Sequence, residues 1–312
     1  MAYHRSSLGN KIALLLLIAM GFLGQTAAAN VEDVVKGVNY DPLHSLEFAK
    51  GMGLDDPILM KKAIFLDLDR MSYLRAYKEK AFKKIDRIKT FFTIFASTGI
   101  NSPQVQLNIA DVVNEWNNAQ RLSDDHILLT LGVYEFRSWV DGCGTEDECV
   151  RWTDVQIKGA IDAVKKYNKD GTVLIDKIIV GNEDIQDEVY NASNIRTRII
   201  RDVKTIKEAL KDYSIKVGTA QLSDPTMQML DPNRADYKKY NELENTVDFL
   251  GTNIYPFWGG TPYGYTVQAV TKYWDDLTLK ANSANKEILI SEEGWPSGGE
   301  KKEGAIPNID HA

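Results

Sequence analysis

The stretch Ile178-Ile-Val-Gly-Asn-Glu-Asp184 decides how the rest of the chain is read. Strand-forming residues run into Gly181, and Asn182 and Glu183 follow at once. An acid at the C-terminal end of a buried strand stands where α/β barrels keep their reactive groups. The same design returns 109 residues later in Ile288-Leu-Ile-Ser-Glu-Glu-Gly-Trp-Pro296, where Glu292 occupies the strand exit.

Working outward, apolar strands alternate with helical periodicity. Strands are expected to start at Val34, Ile88, Ile127, Ile178, Ile215, Val247 and Ile288. The second runs to Thr93 and is rich in β-branched and aromatic side chains. Between them, apolar residues recur every three or four positions: Ile109, Val112, Val113 and Trp116; Ile157, Ile161 and Val164, with Gly171 closing that helix; Ile195, Ile199, Val203, Ile206 and Leu210; Val267, Val270, Trp274 and Leu277. A further helix is expected from about Lys61 to Arg87. Strands that are apolar throughout, separated by amphipathic helices, imply a parallel sheet covered by helices.

That pattern predicts a (β/α)8 barrel, yet only seven strands can be counted where eight are needed. After Trp295 the remaining residues are too few and too polar for a helix and a closing strand. Either the barrel is open or the sequence is a truncated form, and truncation is the expectation. Residues 30–312 read as a single domain, with no repeat, low-complexity tract or linker to divide them.

Residues 1–29 are set apart. His4, Arg5 and Lys11 precede an apolar run from Ile12 to Leu23, and small residues follow to Ala29. These are the three parts of a secretory signal peptide, with cleavage expected after Ala28 or Ala29. An uncleaved anchor is the other reading of that segment, and no other stretch is apolar over the length of a membrane span. The whole chain has a net charge of −7, and removing Arg5 and Lys11 with the leader makes it −9. So acidic a surface argues against a nucleic-acid partner. Cys143 and Cys149, alone in the chain, are expected to form one local disulfide in an exported protein. The alternative, a metal site, has no histidine near it. Asn191-Ala-Ser193 is a glycosylation sequon.

Two acids on separate strand exits suit the hydrolysis of a glycosidic bond. One carboxylate attacks the sugar; the other protonates the leaving oxygen and so has to hold its proton near neutral pH. Asn182 is placed to bind a sugar hydroxyl. Tyr40, Tyr134, Tyr255, Phe257, Trp258 and Trp295 gather at the same strand exits, and flat aromatic faces suit the apolar faces of sugar rings. Each of these residues also has a plainer reading, as a turn, cap or core residue.

The stretch Ile288 to Ser297 resembles the signature of glycoside hydrolase family 17, the β-1,3-glucanases and glucanosyltransferases. Val180-Gly-Asn-Glu183 is similar to that family's acid/base strand, Val38-Asn-Tyr40 to its first strand, Val217 to Ala220 to its fifth, and Asn253-Ile-Tyr-Pro-Phe257 to its sixth. The resemblance runs from about Val35 to Asn308. It implies a (β/α)8 barrel that retains anomeric configuration without a cofactor or metal. It also implies Glu183 as acid/base, Glu292 as nucleophile, and Asn182, Tyr40, Tyr255 and Trp295 around the cleavage subsite.

Three features depart from the family pattern. Glu293 follows the nucleophile where a small or hydroxylated residue is usual. Lys89 and Phe91 replace an arginine and a tyrosine on the second strand; Lys89 keeps the charge that supports the site but loses the arginine fork. The last helix and strand are missing. The expectation is a secreted retaining glycosidase acting on β-1,3-glucan in the extracellular space or cell wall. A glucanosyltransferase and a catalytically weak glucan-binding protein are the alternatives.

Overall fold

The computed structural model describes residues 37–42, 57–76, 86–96, 106–120, 126–138, 141–185 and 192–308. The expected leader and Asn191 of the sequon lie outside these residues.

The strands are β1 (Gly37–Tyr40), β2 (Arg87–Thr90), β3 (Ile94–Ala96), β4 (Gln106–Asn108), β5 (Leu128–Val133), β6 (Ile175–Asn182), β7 (Lys216–Leu222), β8 (Phe249–Ile254) and β9 (Glu287–Glu293). The helices are α1 (Pro57–Ala76), α2 (Ile109–Ala119), α3 (Glu146–Tyr167), α4 (Ala192–Ala209), α5 (Ser223–Leu230), α6 (Tyr237–Thr246) and α7 (Thr266–Ser283). Seven strands form one sheet in the order β1-β2-β5-β6-β7-β8-β9, every neighbouring pair parallel. Among the described residues β1 and β9 are its two edges. This is the expected barrel without its eighth strand.

The main core lies between the outer face of the sheet and the helices. Ile64 and Leu68 of α1, Trp116 of α2, Val164 of α3, Ile199 and Val203 of α4, Leu243 of α6 and Leu277 of α7 pack there against Ile88, Leu129, Ile178, Val217 and Leu250. A smaller cluster fills the concave face: Ile179, Ala220 and Phe249, with Leu289 against them. Helix α3 shows why these segments stop where they do. Thr145 accepts a hydrogen bond from the Glu148 amide, acids occupy the first turn and Lys165 and Lys166 the last, all favourable to the helix dipole. The helix ends at Tyr167, before Gly171, which sits in the following turn at φ 80°.

Several elements differ from expectation. The second strand is short, because after Thr90 the chain turns away into the β3–β4 hairpin, which pairs antiparallel outside the main sheet. Helix α1 starts at Pro57 rather than near Lys61, proline being well suited to a first turn. Two short helices, α5 and α6, fill the segment between β7 and β8. Cys143 and Cys149 form a disulfide that ties the loop before α3 to its first turn, against Phe136.

Two β-bulges set the chemistry of the concave face. Between β6 and β7 the pairing passes from Ile179↔Gly218 to Asn182↔Ala220, which leaves one extra residue on β6. Between β8 and β9 it passes from Thr252↔Ile290 to Asn253↔Glu292, leaving Ser291 extra on β9. Side chains alternate faces along a strand, and Ile179 and Leu289 point inward. Continued without interruption, that alternation would send Asn182 and Glu292 to the helix side. The bulges turn both back toward the interior.

Candidate active site

Glu292, the last residue but one of β9, is a buried carboxylate with two partners. Lys89 Nζ of β2 donates to its Oε1 at 2.6 Å, and the Tyr255 hydroxyl donates to its Oε2. Lys89 also donates to Asn182 Oδ1 at 3.4 Å and lies over the Phe91 ring, 4.5 Å from its centre. Burial lowers the Lys89 pKa, while the Glu292 carboxylate opposes that pull. The Tyr255 hydroxyl is held protonated by burial and by its bond to Glu292.

Glu183 closes the end of β6 in a left-handed backbone conformation, φ 58°, uncommon for a residue with a side chain. Its Oε1 accepts from Asn253 Nδ2 of β8 at 2.7 Å, and Asn253 also donates to Asn182 Oδ1 at 3.4 Å. The Ser291 hydroxyl donates to Asn253 Oδ1, which fixes the amide's orientation. Burial raises the Glu183 pKa; the Asn253 hydrogen bond lowers it, the Glu292 charge raises it and Lys89 lowers it. Glu183 is therefore the carboxyl inclined to keep its proton, beside one that two donors hold in place.

The turn that carries Glu183 is held at every amide. Glu183 N–H donates to Ala220 O at 3.0 Å, Asn182 N–H to Asp184 Oδ2 at 2.7 Å, and the amides of Asp184 and Ile185 both reach Gln221 Oε1. Gly181 is required there: at φ 74° a Cβ would lie 2.7 Å from Asp184 Oδ2 and 2.8 Å from Ile199 Cδ1. Asp184 is buried, with Arg137 Nη1 at 3.2 Å from its Oδ1, and burial pushes its carboxyl up to about 7 against the pull of that guanidinium.

The expected aromatic residues divide. Tyr255 is at the site. Tyr40 is not: it pairs with Thr90, its hydroxyl donates to Asp67 Oδ2 of α1 at 3.0 Å, and its ring lies in the core between sheet and helices. Alternation explains this, because Asn39 is the residue in register with Lys89 and shares its inward face. Phe257 is only 2% exposed, so its ring is closed to a ligand; it supports Trp258 and Trp295, whose ring centres are 5.1 and 5.3 Å away. Trp258 is 65% exposed, while Trp295 is half-buried against Tyr263 and donates to Ile306 O at 3.0 Å. Tyr134 stacks on Phe92 and binds Asp141. Glu293 is exposed, and alternation puts it on the face opposite Glu292. Sequence reasoning missed Gln221 and Arg137, and it quoted Asp184, Ser291 and Asn253 only within motifs.

A sequence profile of the BtgE/BtgC glycoside hydrolase domain matches residues 140–312. The chain is 30% identical over 206 residues to a putative glucan endo-1,3-β-glucosidase, btgC, of Aspergillus niger, covering 61% of this chain and 26% of that protein. It is 26% identical over 231 residues to a probable β-glucosidase, btgE, of Aspergillus clavatus, covering 68% of this chain and 39% of the other. The chain thus spans well under half the length of these relatives. Among solved structures, the glycoside hydrolase family 17 β-1,3-glucanosyltransferase of Rhizomucor miehei superposes with a TM-score of 0.52 at 18% identity, over 88% of this chain and 77% of that one. An endo-laminarinase from Formosa Hel1_33_131 superposes with a TM-score of 0.57 at 14% identity, over 86% and 68%. At these identities the superpositions bear on the fold alone.

Proposed function

Because the chain belongs to the BtgE/BtgC glycoside hydrolase family, we propose that it is a retaining glycosidase that cleaves β-1,3-glucan with Glu292 as nucleophile and Glu183 as acid/base. The observation that carries this reading is the link between the two acids. They leave separate strands, share the concave face, and are joined through Lys89, Asn182 and Asn253.

In the first step a Glu292 oxygen bonds to the anomeric carbon while the glycosidic C–O bond breaks. The electron pair goes to the leaving oxygen, which takes the proton of Glu183. In the second step Glu183, now a carboxylate, removes a proton from water; the oxygen attacks the anomeric carbon and Glu292 departs. Lys89 and Tyr255 hold the Glu292 carboxylate in position, and burial favours the protonated form of Glu183 that the first step uses. Trp258 and Trp295 offer faces for neighbouring sugar rings. Export to the extracellular space or cell wall belongs to the same proposal, on the strength of the leader-like N-terminus and the disulfide.

Product analysis on laminari-oligosaccharides tests it. Shorter products with retained configuration, abolished in Glu183→Gln, are expected. Products longer than the substrate would convert the hydrolase into a glucanosyltransferase. Retention on insoluble β-1,3-glucan without release of sugar would overturn the enzyme altogether.

A further inference from the structure

Asp184 takes no part in the chemistry just described, yet it holds the backbone that carries Glu183. A glutamate at φ 58° stays there only if its surroundings over-determine the turn. Three of the four hydrogen bonds that fix the turn's amides are accepted on β7, one by the Ala220 carbonyl and two by the Gln221 side chain. The fourth is accepted by the Asp184 carboxylate, reaching back to the Asn182 amide. A carboxylate with a side chain only 1% exposed is costly unless a counter-charge faces it, and Arg137 supplies that charge.

Arg137 is itself held from a separate segment. Its amide donates to Asp141 Oδ2 at 2.7 Å and its Nη2 to the Tyr134 hydroxyl at 3.1 Å, and that hydroxyl donates to Asp141 Oδ1. Glu135, Arg198 and Asp141 are the other charged groups near Asp184. A path of contacts therefore runs from the loop ahead of the disulfide, through Arg137 and Asp184, to the amide immediately before Glu183. No step of it touches Glu292, whose donors come from β2 and from the segment after β8.

We infer that Arg137 and Asp184 are positioning residues for the acid/base glutamate, acting through the Asn182 amide and serving the proton-transfer half of the reaction. This rests on the roles proposed for Glu183 and Glu292. If Asp184 releases the turn, Glu183 loses its aim at the glycosidic oxygen while Glu292 keeps its own donors. The defect then depends on how much the leaving group needs a proton.

The test compares two donors in the wild-type protein, Asp184→Asn and Arg137→Lys. Laminari-oligosaccharides need Glu183 to protonate the leaving oxygen. A β-laminaribiosyl fluoride supplied with azide does not: fluoride leaves as the free ion, and azide then displaces Glu292 from the anomeric carbon without a base. Each variant is expected to lose at least tenfold in kcat on oligosaccharides, with KM within threefold. On the fluoride with azide each stays within threefold of wild type. Equal losses on both donors, no loss on either, or loss of cooperative melting in both variants would mark the contact as structural and overturn the inference. Wild-type protein inactive on both donors would instead sink the proposed function, and the inference with it.

Discussion

Lys89 and Glu292 stand 203 positions apart in the chain and 2.6 Å apart in space, a buried ion pair that ties the second strand to the last. Removing one partner of such a pair leaves an uncompensated charge, at a cost of about 3–5 kcal/mol. Lys89→Met is therefore expected to lower the urea midpoint sharply at pH 7, while Lys89→Arg keeps most of the stability. Equal midpoints for wild type and Lys89→Met would contradict this assignment.

Glu183 supplies the pH dependence. Its pKa lies above the ordinary carboxyl value, chiefly through burial, and the acid role needs the proton. The alkaline limb of kcat/KM should accordingly lie above the region of about pH 4.3 where a free glutamate titrates. Asn253 donates to the carboxylate and favours its charged form. Asn253→Ala should move the limb further up; a downward shift would reverse the sign of the argument. Stability carries the same sign. With the folded pKa raised, the contribution is fully present below the unfolded value and is lost as pH rises through the folded one.

Tyr255 can be tested through one atom. Tyr255→Phe removes the donor to Glu292 Oε2 and leaves the ring. Hydrogen bonds to charged groups contribute about 1.5–3 kcal/mol, so kcat should fall roughly 10- to 100-fold with KM nearly unchanged. A change in KM alone would mean that the hydroxyl meets the substrate rather than the nucleophile.

Phe257 and Trp258 are neighbours with opposite expected behaviour. Phe257→Ala empties a buried site beneath two tryptophans and should cost about 3–5 kcal/mol of stability. Trp258→Ala should shift stability by no more than about 0.5 kcal/mol and raise KM for long glucans. The reverse pattern would exchange their roles.

The strands were legible because a parallel sheet covered by helices needs near-continuous apolar runs, as in Leu128–Val133. Three-residue strands such as Ile94–Ala96 carry too little pattern to read, and α5 and α6 bury few apolar side chains among polar ones. The two glutamates were legible as strand exits, but strict alternation after Leu289 would have turned Glu292 away from the interior. Only the extra residue at Ser291 brings it back, and a bulge leaves no signature in a single sequence. Tyr40 misled for the same reason: one step of alternation separates it from Asn39, the inward residue. Gln221 and Arg137 reach Asp184 from 37 and 47 positions away, which no local pattern encodes.

The most direct measurement is a trapping experiment. A laminari-oligosaccharyl fluoride bearing fluorine at C2 forms the ester with the nucleophile and then reacts on slowly, so peptide mass spectrometry can locate the sugar. The account predicts one sugar adduct per chain, on Glu292, absent in Glu292→Gln and unaffected in position by Glu183→Gln. An adduct on Glu293 or Glu183, or no adduct in protein that hydrolyses laminarin, would contradict it.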